Sequence, residues 1–326
     1  MNISIIVPIF NEETLIDKCL DSVIDQDYPK KNYEIIVIND GSTDNTLQEI
    51  KKKQKRAEVN GIDIKIINLK NNQGRVIARK TGAENSKYNN LLFIDSRCIA
   101  NNKILNNIEE INYQPIIGYL LMDFERSVFD RFGWLIRKKI YSSYFEKNFK
   151  PTYITKGNFD EMGKGTGIFF CKKELFLHSQ LKSKTEYVSD DTKLLWNIVQ
   201  KKKILMHPCV KATYLSRTSL KKEIKHTFER GPKFVDYYLN LKKKRFWLFI
   251  FFPIVTLIFT IILILCNLTH LLCWLGFMII ILILTSIWIS ENIADFCTVV
   301  VILPIIGLSF ELGILKGLIL KLLRKY

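Results

Sequence analysis

Two long stretches without a charged residue constrain the fold of this chain more than any other feature. Residues 246–266 carry no charge over 21 positions, and residues 271–289 carry none over 19. A helix of about 20 apolar residues crosses a hydrocarbon core of roughly 30 Å and satisfies its own backbone hydrogen bonds. We therefore predict two membrane-spanning helices joined by a short turn, in preference to two buried helices of a soluble bundle.

The charges around these stretches predict their orientation. Four basic residues, 242–245, precede the first stretch, and the positive-inside rule places them in the cytoplasm. A third apolar stretch, about residues 296–315, is interrupted by a proline and leads into a basic, amphipathic tail. Such a tail suits an anionic membrane surface, and it favours two crossings over three. The sequence thus predicts a multi-pass protein of the cell membrane, with a cytoplasmic domain at residues 1–240 and a membrane region at 241–326.

The charge balance narrows the possible partners. Lys and Arg outnumber Asp and Glu by 48 to 32 among 326 residues, which gives a formal net charge of +16. Such a surplus indicates a polyanionic partner: nucleic acid, an anionic membrane or a phosphate-rich ligand. Because the basic residues flank the apolar stretches and match no nucleic-acid-binding module, we predict no nucleic-acid partner. The seven cysteines contain no C-x-x-C pair, so neither a zinc site nor a disulfide framework is indicated.

The first 95 residues alternate short β-rich runs with helical patterns. Asn11 and Asp44 are candidate caps for the helices that follow the first two runs. Strands that alternate with helices at this spacing imply a doubly wound α/β fold with a parallel sheet. The β-rich runs are residues 3–7, 33–38, 62–67 and 91–94.

Polar residues gather where such a fold binds its ligands. In doubly wound sheets the ligand lies beyond the carboxyl ends of the strands, which here are residues 8–11, 39–42 and 95–97. No G-x-G-x-x-G follows the first strand and no G-x-x-x-x-G-K-[ST] occurs, so a dinucleotide-binding fold and a P-loop NTPase are disfavoured. The Gly-rich residues 163–167 predict either a loop whose backbone approaches a ligand or an ordinary turn.

Three segments resemble the family 2 glycosyltransferases, which have a GT-A fold. They are residues 7–13 (VPIFNEE), 37–44 (VINDGSTD) and 72–79 (NQGRVIAR), and their order and spacing also match that family. The resemblance covers roughly residues 1–230. It implies that the donor is a nucleotide-diphosphate sugar, and we expect a UDP-sugar.

The resemblance also implies which residues bind the donor. Phe10 matches the aromatic residue that lies against the nucleobase, and Asp40 matches the carboxylate that bonds the base edge. Arg79 matches a basic residue near the base and phosphates, and Asp95 matches the first acid of the family's D-x-D motif. The implied nucleotide-sugar-binding set is Pro8, Phe10, Asn11, Glu13, Asp40, Gly41, Arg79, Asp95 and Arg97.

Arg97 departs from the family pattern, and this departure bears on the cofactor. In the family the last Asp of D-x-D holds Mn²⁺ or Mg²⁺ against the diphosphate, whereas this chain has Asp95, Ser96 and Arg97. Arg97 could take over part of the metal's role by pairing with phosphate oxygens. Alternatively, a divalent metal still binds through Asp95 and another carboxylate, or Arg97 points away and catalysis is impaired. The sequence leaves these three hypotheses open.

Asp190 and Asp191 resemble the acidic pair of the family, whose second member is the catalytic base. By this resemblance Asp191 takes the proton of the acceptor hydroxyl as its oxygen attacks the anomeric carbon, and direct displacement inverts the configuration there. The alternative is that both acids only cap the helix that they begin, where the helix dipole stabilises their charge.

Two further segments interleave basic and aromatic residues. Residues 217–238 resemble a stretch that lies at the membrane beside the active site in membrane-bound family members. They predict either a phosphate site for a lipid-linked acceptor or a solvated basic face. Residues 127–150 have a helical period and predict either an interfacial helix or a helix packed on the sheet.

These expectations combine into one function and two alternatives. The function is that of a membrane-anchored, inverting glycosyltransferase that moves a sugar from a nucleotide-diphosphate donor to a lipid-linked or growing glycan acceptor. One alternative is a transferase that loads the first sugar onto a polyprenyl phosphate. The other is a degenerate, non-catalytic protein that binds nucleotide sugar and acts as a membrane scaffold.

Overall fold

A computed structural model of the protein describes residues 1–142, 149–181, 187–266 and 268–323. The chain divides into two compact units. The first, the sheet unit, comprises Met1–Asp123, Ser143–Glu186 and Asp190–Ser216. The second, the helical unit, comprises Phe124–Ser142, Tyr187–Ser189 and Arg217–Tyr326. The predicted boundary at residue 240 divides a catalytic domain from a membrane region. It remains a prediction, because the two units are defined by packing and not by activity or membrane insertion.

The sheet unit contains one nine-stranded sheet. Its strand order is β3-β2-β1-β4-β8-β6-β9-β5, and β7 pairs with β9. Strands β1 to β4 are mutually parallel, as predicted, whereas β8 runs antiparallel to both β4 and β6. The sheet is therefore mixed beyond its parallel half. The strands are β1 Ile3–Ile9, β2 Tyr33–Asn39, β3 Asp63–Asn68, β4 Asn90–Ile94, β5 Cys98–Ala100, β6 Ile116–Met122, β7 Thr152–Ile154, β8 Ile168–Lys172 and β9 Ile204–Tyr214.

Helices cover the sheet and make up most of the helical unit. In the sheet unit α1, α2 and α3 follow β1, β2 and β3 along the chain, which is the predicted alternation. The helices are α1 Ile16–Ile24, α2 Thr46–Val59, α3 Arg75–Glu84, α4 Ile104–Ile111, α5 Val128–Ile140, α6 Lys173–His178, α7 Asp190–Lys201, α8 Leu220–Tyr238, α9 Lys244–Phe246, α10 Phe252–Cys266, α11 Leu268–Ile289 and α12 Ile293–Leu322.

Burial explains why the parallel half forms as it does. All seven residues of β2 are buried, and in β1 only Pro8 is partly exposed, as expected for strands covered on both faces. The predicted cap Asn11 was wrong. Helix α1 begins at Ile16, and Asn11 has a positive φ of 52° and instead bonds the loop after β2. That backbone conformation is one that Asn tolerates better than most residues, so Asn11 makes a turn where a helix was predicted.

Among its described residues, the helical unit contains three helices long and apolar enough to cross a membrane. They are Lys244–Leu265, Leu268–Ile289 and Ile293–Leu322. The first two correspond to the predicted spans 246–266 and 271–289. The third is one continuous helix, α12, rather than a short interrupted segment. The basic tail residues Arg324 and Lys325 lie outside the described residues.

Helix α12 packs closely against α8. A Cβ added at Gly231 would lie 2.2 Å from the carbonyl carbon of Gly313, so these two glycines let the helix backbones touch. Ser309 Oγ also donates to the carbonyl of Ile224 at 2.8 Å. Helix α12 is therefore held along α8, the predicted basic segment.

Helix α5 buries its apolar face within the helical unit. Phe132 and Leu135 pack with Ile289, Val299 and Ile302 of α11 and α12. Within the helical unit, the described helix of the predicted segment 127–150, α5, therefore packs on α11 and α12. Its predicted aromatic residues Tyr144 and Phe145 lie outside the described residues.

Candidate active site

Asp40 fixes the turn that leads into α3. It lies directly after β2 and is only 3% exposed. Its Oδ1 accepts a hydrogen bond from the Gln73 backbone N–H at 2.8 Å, and its Oδ2 accepts one from Gly74 at 2.9 Å. Burial raises the pKa of the Asp40 carboxyl, and these two hydrogen bonds oppose the increase. The predicted base-binding carboxylate thus also sets where α3 begins.

Two arginines of α3 reach the acids that begin α7. Arg75 and Arg79 are four residues apart, which places both on one face of the helix. Arg79 Nη1 donates to Asp191 Oδ1 at 2.6 Å. Arg75 Nη2 donates to Asp190 Oδ1 at 2.8 Å, and its Nη1 donates to Asp191 Oδ2 at 3.3 Å. We call these four residues the α3–α7 charge cluster.

Asp191 receives three side-chain hydrogen bonds. Besides the two arginines, Thr166 Oγ1 donates to its Oδ1 at 2.5 Å, and Thr166 is almost fully buried. Burial by itself would raise the pKa of the Asp191 carboxyl. The charges of Arg75 and Arg79, with the hydrogen bonds from Thr166 and Arg79, outweigh burial and hold that pKa below its usual range. Asp191 is therefore an oriented carboxylate at neutral pH.

The acids predicted to meet in one cleft do lie around the start of α3. Asp40 binds Gly74, the residue before Arg75, and Arg75 bridges Asp190 and Asp191. Asp95, directly after β4, donates its backbone N–H to the carbonyl of Gly167 at 2.9 Å, next to Thr166, which bonds Asp191. Its charge also raises the pKa of the Arg75 guanidinium, after the larger effect of Asp191. The carboxyl ends of β2 and β4 and the start of α7 therefore meet at Arg75.

Arg97 is anchored at the same edge of the sheet. Its Nε donates to Glu12 Oε1 at 2.6 Å, and its Nη1 donates to the carbonyl of Leu215 at 3.4 Å. Both members of the Arg97–Glu12 pair are mostly buried, with 13% and 12% of their side chains exposed. Because Glu12 follows the end of β1, Arg97 stays beside the predicted donor site.

Among the described residues, the carboxylates at this edge of the sheet are not grouped as ligands of a metal ion. Among the residues that the structure describes, no group of three or more His, Cys, Asp or Glu side chains is placed to hold a metal ion. Where the family has a second acid, Arg97 brings a cation and pairs with Glu12. The residues therefore do not fit a divalent metal held by protein ligands alone, and no chemical step below involves one. Metal binding at Asp95 remains a hypothesis.

The end of β1 and the loop after β2 are tied together. Asn11 Oδ1 accepts from the Thr43 N–H at 2.8 Å, and Glu13 Oε2 accepts from the Asn45 N–H at 2.9 Å. The side chains of Asn11 and Glu13 thus position the backbone of the loop after β2. Phe10, directly before Asn11, is 40% exposed, so its ring is available at the strand end.

Gly41 permits a close approach in the same loop. Its φ is +69°, and a Cβ there would lie 2.5 Å from the carbonyl carbon of Asn71. A side chain at residue 41 would therefore displace the turn that Asp40 holds.

The sequence analysis did not assign Arg75, Thr166 or Glu12. Arg75 could have been found from its spacing of four residues to Arg79. Thr166 lies in the Gly-rich residues 163–167, for which the sequence predicts a loop or a turn but no side-chain contact. Arg79 bonds Asp191, a contact that the sequence did not predict, and its place near the base and phosphates stays a prediction.

Comparison with known proteins identifies the family of this chain. Residues 4–175 match the model of glycosyl transferase family 2, which is more than half of the chain. A dolichyl N-acetyl-alpha-D-glucosaminyl phosphate 3-beta-D-2,3-diacetamido-2,3-dideoxy-beta-D-glucuronosyltransferase of Methanococcus voltae is 30% identical over 241 residues, which cover 70% of this chain and 71% of that protein.

Two solved structures share the fold. The mannosyltransferase PcManGT from Pyrobaculum calidifontis, in complex with GDP-Man and Mn²⁺, aligns with a TM-score of 0.63 and 16% identity, covering 97% of this chain and 87% of that one. Residues 1–349 of S. aureus TarS, in complex with UDP-GlcNAc, align with a TM-score of 0.53 and 16% identity, covering 97% and 91%. The predicted GT-A fold is confirmed, and the chain belongs to glycosyl transferase family 2 and is a glycosyltransferase.

Proposed function

We propose that this glycosyltransferase moves a sugar from a nucleoside-diphosphate donor, a UDP-sugar, to a hydroxyl of a lipid-linked or growing glycan acceptor, with inversion. One observation carries the proposal. The Asp191 carboxylate is held by Arg79 and Thr166 at the strand ends where Asp95 lies. An oriented carboxylate at that edge is what a general base for a hydroxyl acceptor requires.

The step balances without a further reactant. The acceptor oxygen attacks the anomeric carbon of the donor, and the bond from that carbon to the diphosphate oxygen breaks with its electron pair leaving on the nucleoside diphosphate. The hydroxyl proton passes to Asp191. Because the acceptor enters opposite the leaving group, the anomeric configuration inverts. Arg79 and Thr166 orient the Asp191 carboxylate during this transfer.

The donor side of the proposal rests on the strand ends of the sheet unit. The ring of Phe10 is exposed there and suits stacking on a nucleobase. Asp40 is buried beside it and can offer its remaining lone pairs to the base edge. The structural neighbours with bound UDP-GlcNAc and GDP-Man support a nucleotide-sugar donor for this fold.

The acceptor side rests on the helical unit. The Methanococcus voltae relative is named for a dolichyl-phosphate-linked sugar acceptor, and this chain has three helices of membrane-spanning length. We propose two crossings, formed by α9–α10 and by α11, with the basic residues 242–245 in the cytoplasm. Because α12 packs along α8, whose surface is rich in lysine, we place it at the membrane surface.

The test uses the full chain in lipid nanodiscs. Candidate UDP-sugars are incubated with polyprenyl-linked saccharides or with polyprenyl phosphate alone, and the product lipid is measured. Asp191→Asn should lower turnover by about 100-fold or more and retain UDP binding. Asp63→Asn, the same change at an exposed carboxylate of β3, should leave turnover unchanged.

The outcomes separate the proposal from its alternative. Product with a saccharide acceptor alone supports chain extension, whereas product with bare polyprenyl phosphate supports loading of the first sugar. Turnover that survives in Asp191→Asn would contradict the assigned base. Crossing number is tested independently by reporter fusions after residue 323 and in the α10–α11 turn, which should report opposite sides of the membrane.

A further inference from the structure

We infer that Arg75 is a positioning residue shared between Asp191 and the diphosphate of the donor, so that donor binding draws Arg75 away and leaves Asp191 a stronger base. This inference rests on the proposed function, and it adds a coupling between donor binding and base activation. Arg75 would act on the reaction through Asp191.

The two arginines hold Asp191 unequally. Arg79 is 4% exposed and lies 2.6 Å from Asp191, so it is a fixed partner. The side chain of Arg75 is 43% exposed; it lies 3.3 Å from Asp191 and is held more closely, at 2.8 Å, by Asp190. A long, exposed contact is easily exchanged, whereas breaking a buried pair leaves an uncompensated charge. Arg75 is therefore the member of the α3–α7 charge cluster that a ligand can take.

The position of Arg75 places it toward the donor. It is the first residue of α3, directly after the turn that Asp40 clamps through Gly74. The charge of Asp95 acts on it from the end of β4. A diphosphate bound beside the carboxyl ends of β2 and β4 would therefore meet the Arg75 guanidinium, and the start of α3 adds a favourable field.

Arg97 does not offer the same exchange. Its guanidinium is paired with Glu12 at 2.6 Å and is only 13% exposed. Arg75 has more than three times this exposure at its side chain. Of these two arginines, Arg75 at the start of α3 is therefore the more accessible to a diphosphate.

Exchange of Arg75 would change the chemistry of Asp191. With both arginines attached, the carboxylate is a weak proton acceptor, because each adjacent cation stabilises its charged form. A diphosphate carries more negative charge than one carboxylate and pairs with the guanidinium fork in a bidentate manner. After the exchange, Asp191 keeps Arg79 and Thr166 for orientation and loses one cation. Arg75 then stabilises the charge that develops on the leaving diphosphate.

The test is a double-mutant cycle on UDP binding, measured by calorimetry on the full chain in nanodiscs. Arg75→Gln should weaken UDP binding about tenfold, because a charge-assisted contact is lost. Asp191→Asn should tighten it about threefold or more, because Arg75 is released. In the double variant the tightening should disappear. Lys80→Gln removes the same charge from an outward position of α3 and should change nothing.

Each other outcome contradicts the inference. If Asp191→Asn leaves UDP affinity unchanged, Arg75 is not shared. If its tightening persists in Arg75→Gln, the gain reflects general repulsion between Asp191 and the ligand. Asp190→Asn also frees Arg75 and should tighten binding, which guards against a folding defect at residue 191. If neither UDP nor GDP binds the unmodified protein, the proposed function itself fails.

Discussion

Two charge clusters of the protein each combine two cations with two carboxylates, and their surroundings differ. In the sheet unit, Arg75 and Arg79 face Asp190 and Asp191. In the helical unit, Arg131 and Lys138 face Glu291 and Asp295, which flank the start of α12. We call the latter the α5–α12 charge cluster. In both, one guanidinium bridges two carboxylates and a second cation supports one of them.

The surroundings of the bridging arginine differ. Arg131 lies 4.7 Å from the centre of the Trp134 ring and 5.4 Å from that of Phe124, so its guanidinium is stacked as well as paired. Asp295 Oδ2 also accepts from the Glu291 backbone N–H at 3.2 Å. Among the residues that the structure describes, Arg75 bonds only the Asp190 and Asp191 carboxylates, and its side chain is twice as exposed as that of Arg131.

The number of positive and negative side chains alone therefore does not determine the role of an ion-pair cluster. Around Arg131, aromatic rings stack on the guanidinium and a backbone N–H bonds its partner Asp295. Exchange of that cation would therefore lose several interactions at once. Where the cation is held by carboxylates at the mouth of a ligand site, as at Arg75, an anionic ligand can replace them. We therefore assign the α5–α12 cluster to structure and the α3–α7 cluster to function.

The largest expected effect comes from the buried cation of the functional cluster. Arg79→Gln removes the fixed partner of Asp191 and should lower the local opening free energy of α7 by about 3 kcal/mol, since it leaves a poorly compensated carboxylate. Hydrogen-exchange mass spectrometry of α3 and α7 peptides measures this loss. Turnover should fall with it, because Asp191 loses its orientation.

Lys80→Gln is the matched control for that change. Lys80 is the next residue of α3, and its contact is an exposed pair with Glu84 at 3.6 Å. It should alter exchange by less than about 0.5 kcal/mol. Equal losses in the two variants would show that the charge of α3, and not the Asp191 contact, protects α7.

A smaller loss is expected in the structural cluster. Arg131→Gln should destabilise the helical unit by about 2 kcal/mol, because Asp295 is almost buried but Arg131 itself is 21% exposed. Thermal unfolding in nanodiscs, with exchange at α5 and the start of α12, measures it. UDP affinity should not change.

Arg131→Lys separates charge from stacking in this cluster. Lysine keeps the positive charge but lacks the planar fork and stacks less well, so about half of the loss should remain. A fully stable Arg131→Lys would show that Coulomb attraction alone fastens α5 to α12. A fall in UDP affinity in either variant would contradict the assignment of this cluster to structure.

The sequence predicted the elements well where periodicity and length decide them. The parallel half of the sheet and the two uncharged spans follow from β-rich runs and apolar length, which are local properties. It did not predict the pairing of β8 between β4 and β6, because an antiparallel insertion depends on contacts distant in the chain. Asn11 failed as a cap because the contact with Thr43 outweighed the local helix signal.

The site was predictable only in part, for the same reason. The sequence motifs identified Asp40, Asp95 and Asp191 as candidate site residues. The structure places these three acids around the start of α3. The role of Arg75 depends on an exposure and a distance that no motif encodes. Likewise, the pairing of Arg97 with Glu12 joins residues 85 positions apart.

Asp40→Asn tests whether the functional cluster depends on the turn before α3. An amide cannot accept from both Gln73 and Gly74, since its NH₂ group would face one backbone N–H. The change should cost about 1 to 2 kcal/mol of local stability at residues 73–80 and should weaken UDP binding. Hydrogen exchange and calorimetry measure the two effects.

Asp63→Asn provides the control, because Asp63 is exposed on β3. Asp40→Asn should leave hydrogen exchange in α5 and α12 unchanged, because the Asp40 carboxylate bonds the turn before α3. If α3 kept its protection while UDP binding was lost, Asp40 would serve the ligand alone and would not position Arg75.

The smallest effect, an acid dependence, compares the two clusters directly. The arginines hold the pKa of Asp191 below its usual range, and Lys138 and Arg131 do the same for Glu291. A depressed pKa means that the unfolded chain binds more protons, so each carboxylate contributes stability above about pH 4 and loses it as the pH falls further. Glu291 has the higher reference pKa, so exchange protection of α5 should begin to fall at slightly higher pH than that of α7.

Single neutral variants assign these acid effects to their carboxylates. Asp191→Asn should abolish the acid slope of α7 and keep that of α5, once exchange rates are corrected for their intrinsic pH dependence. Glu291→Gln should keep the slope of α7 and reduce that of α5, where Asp295 still pairs with Arg131. Bound UDP should reduce the slope at α7 only, because withdrawal of Arg75 lets the pKa of Asp191 return toward its usual value. An α7 slope that is the same with and without UDP would mean that the two arginines stay on Asp191 when the nucleotide binds, and the functional cluster would then be as static as the structural one.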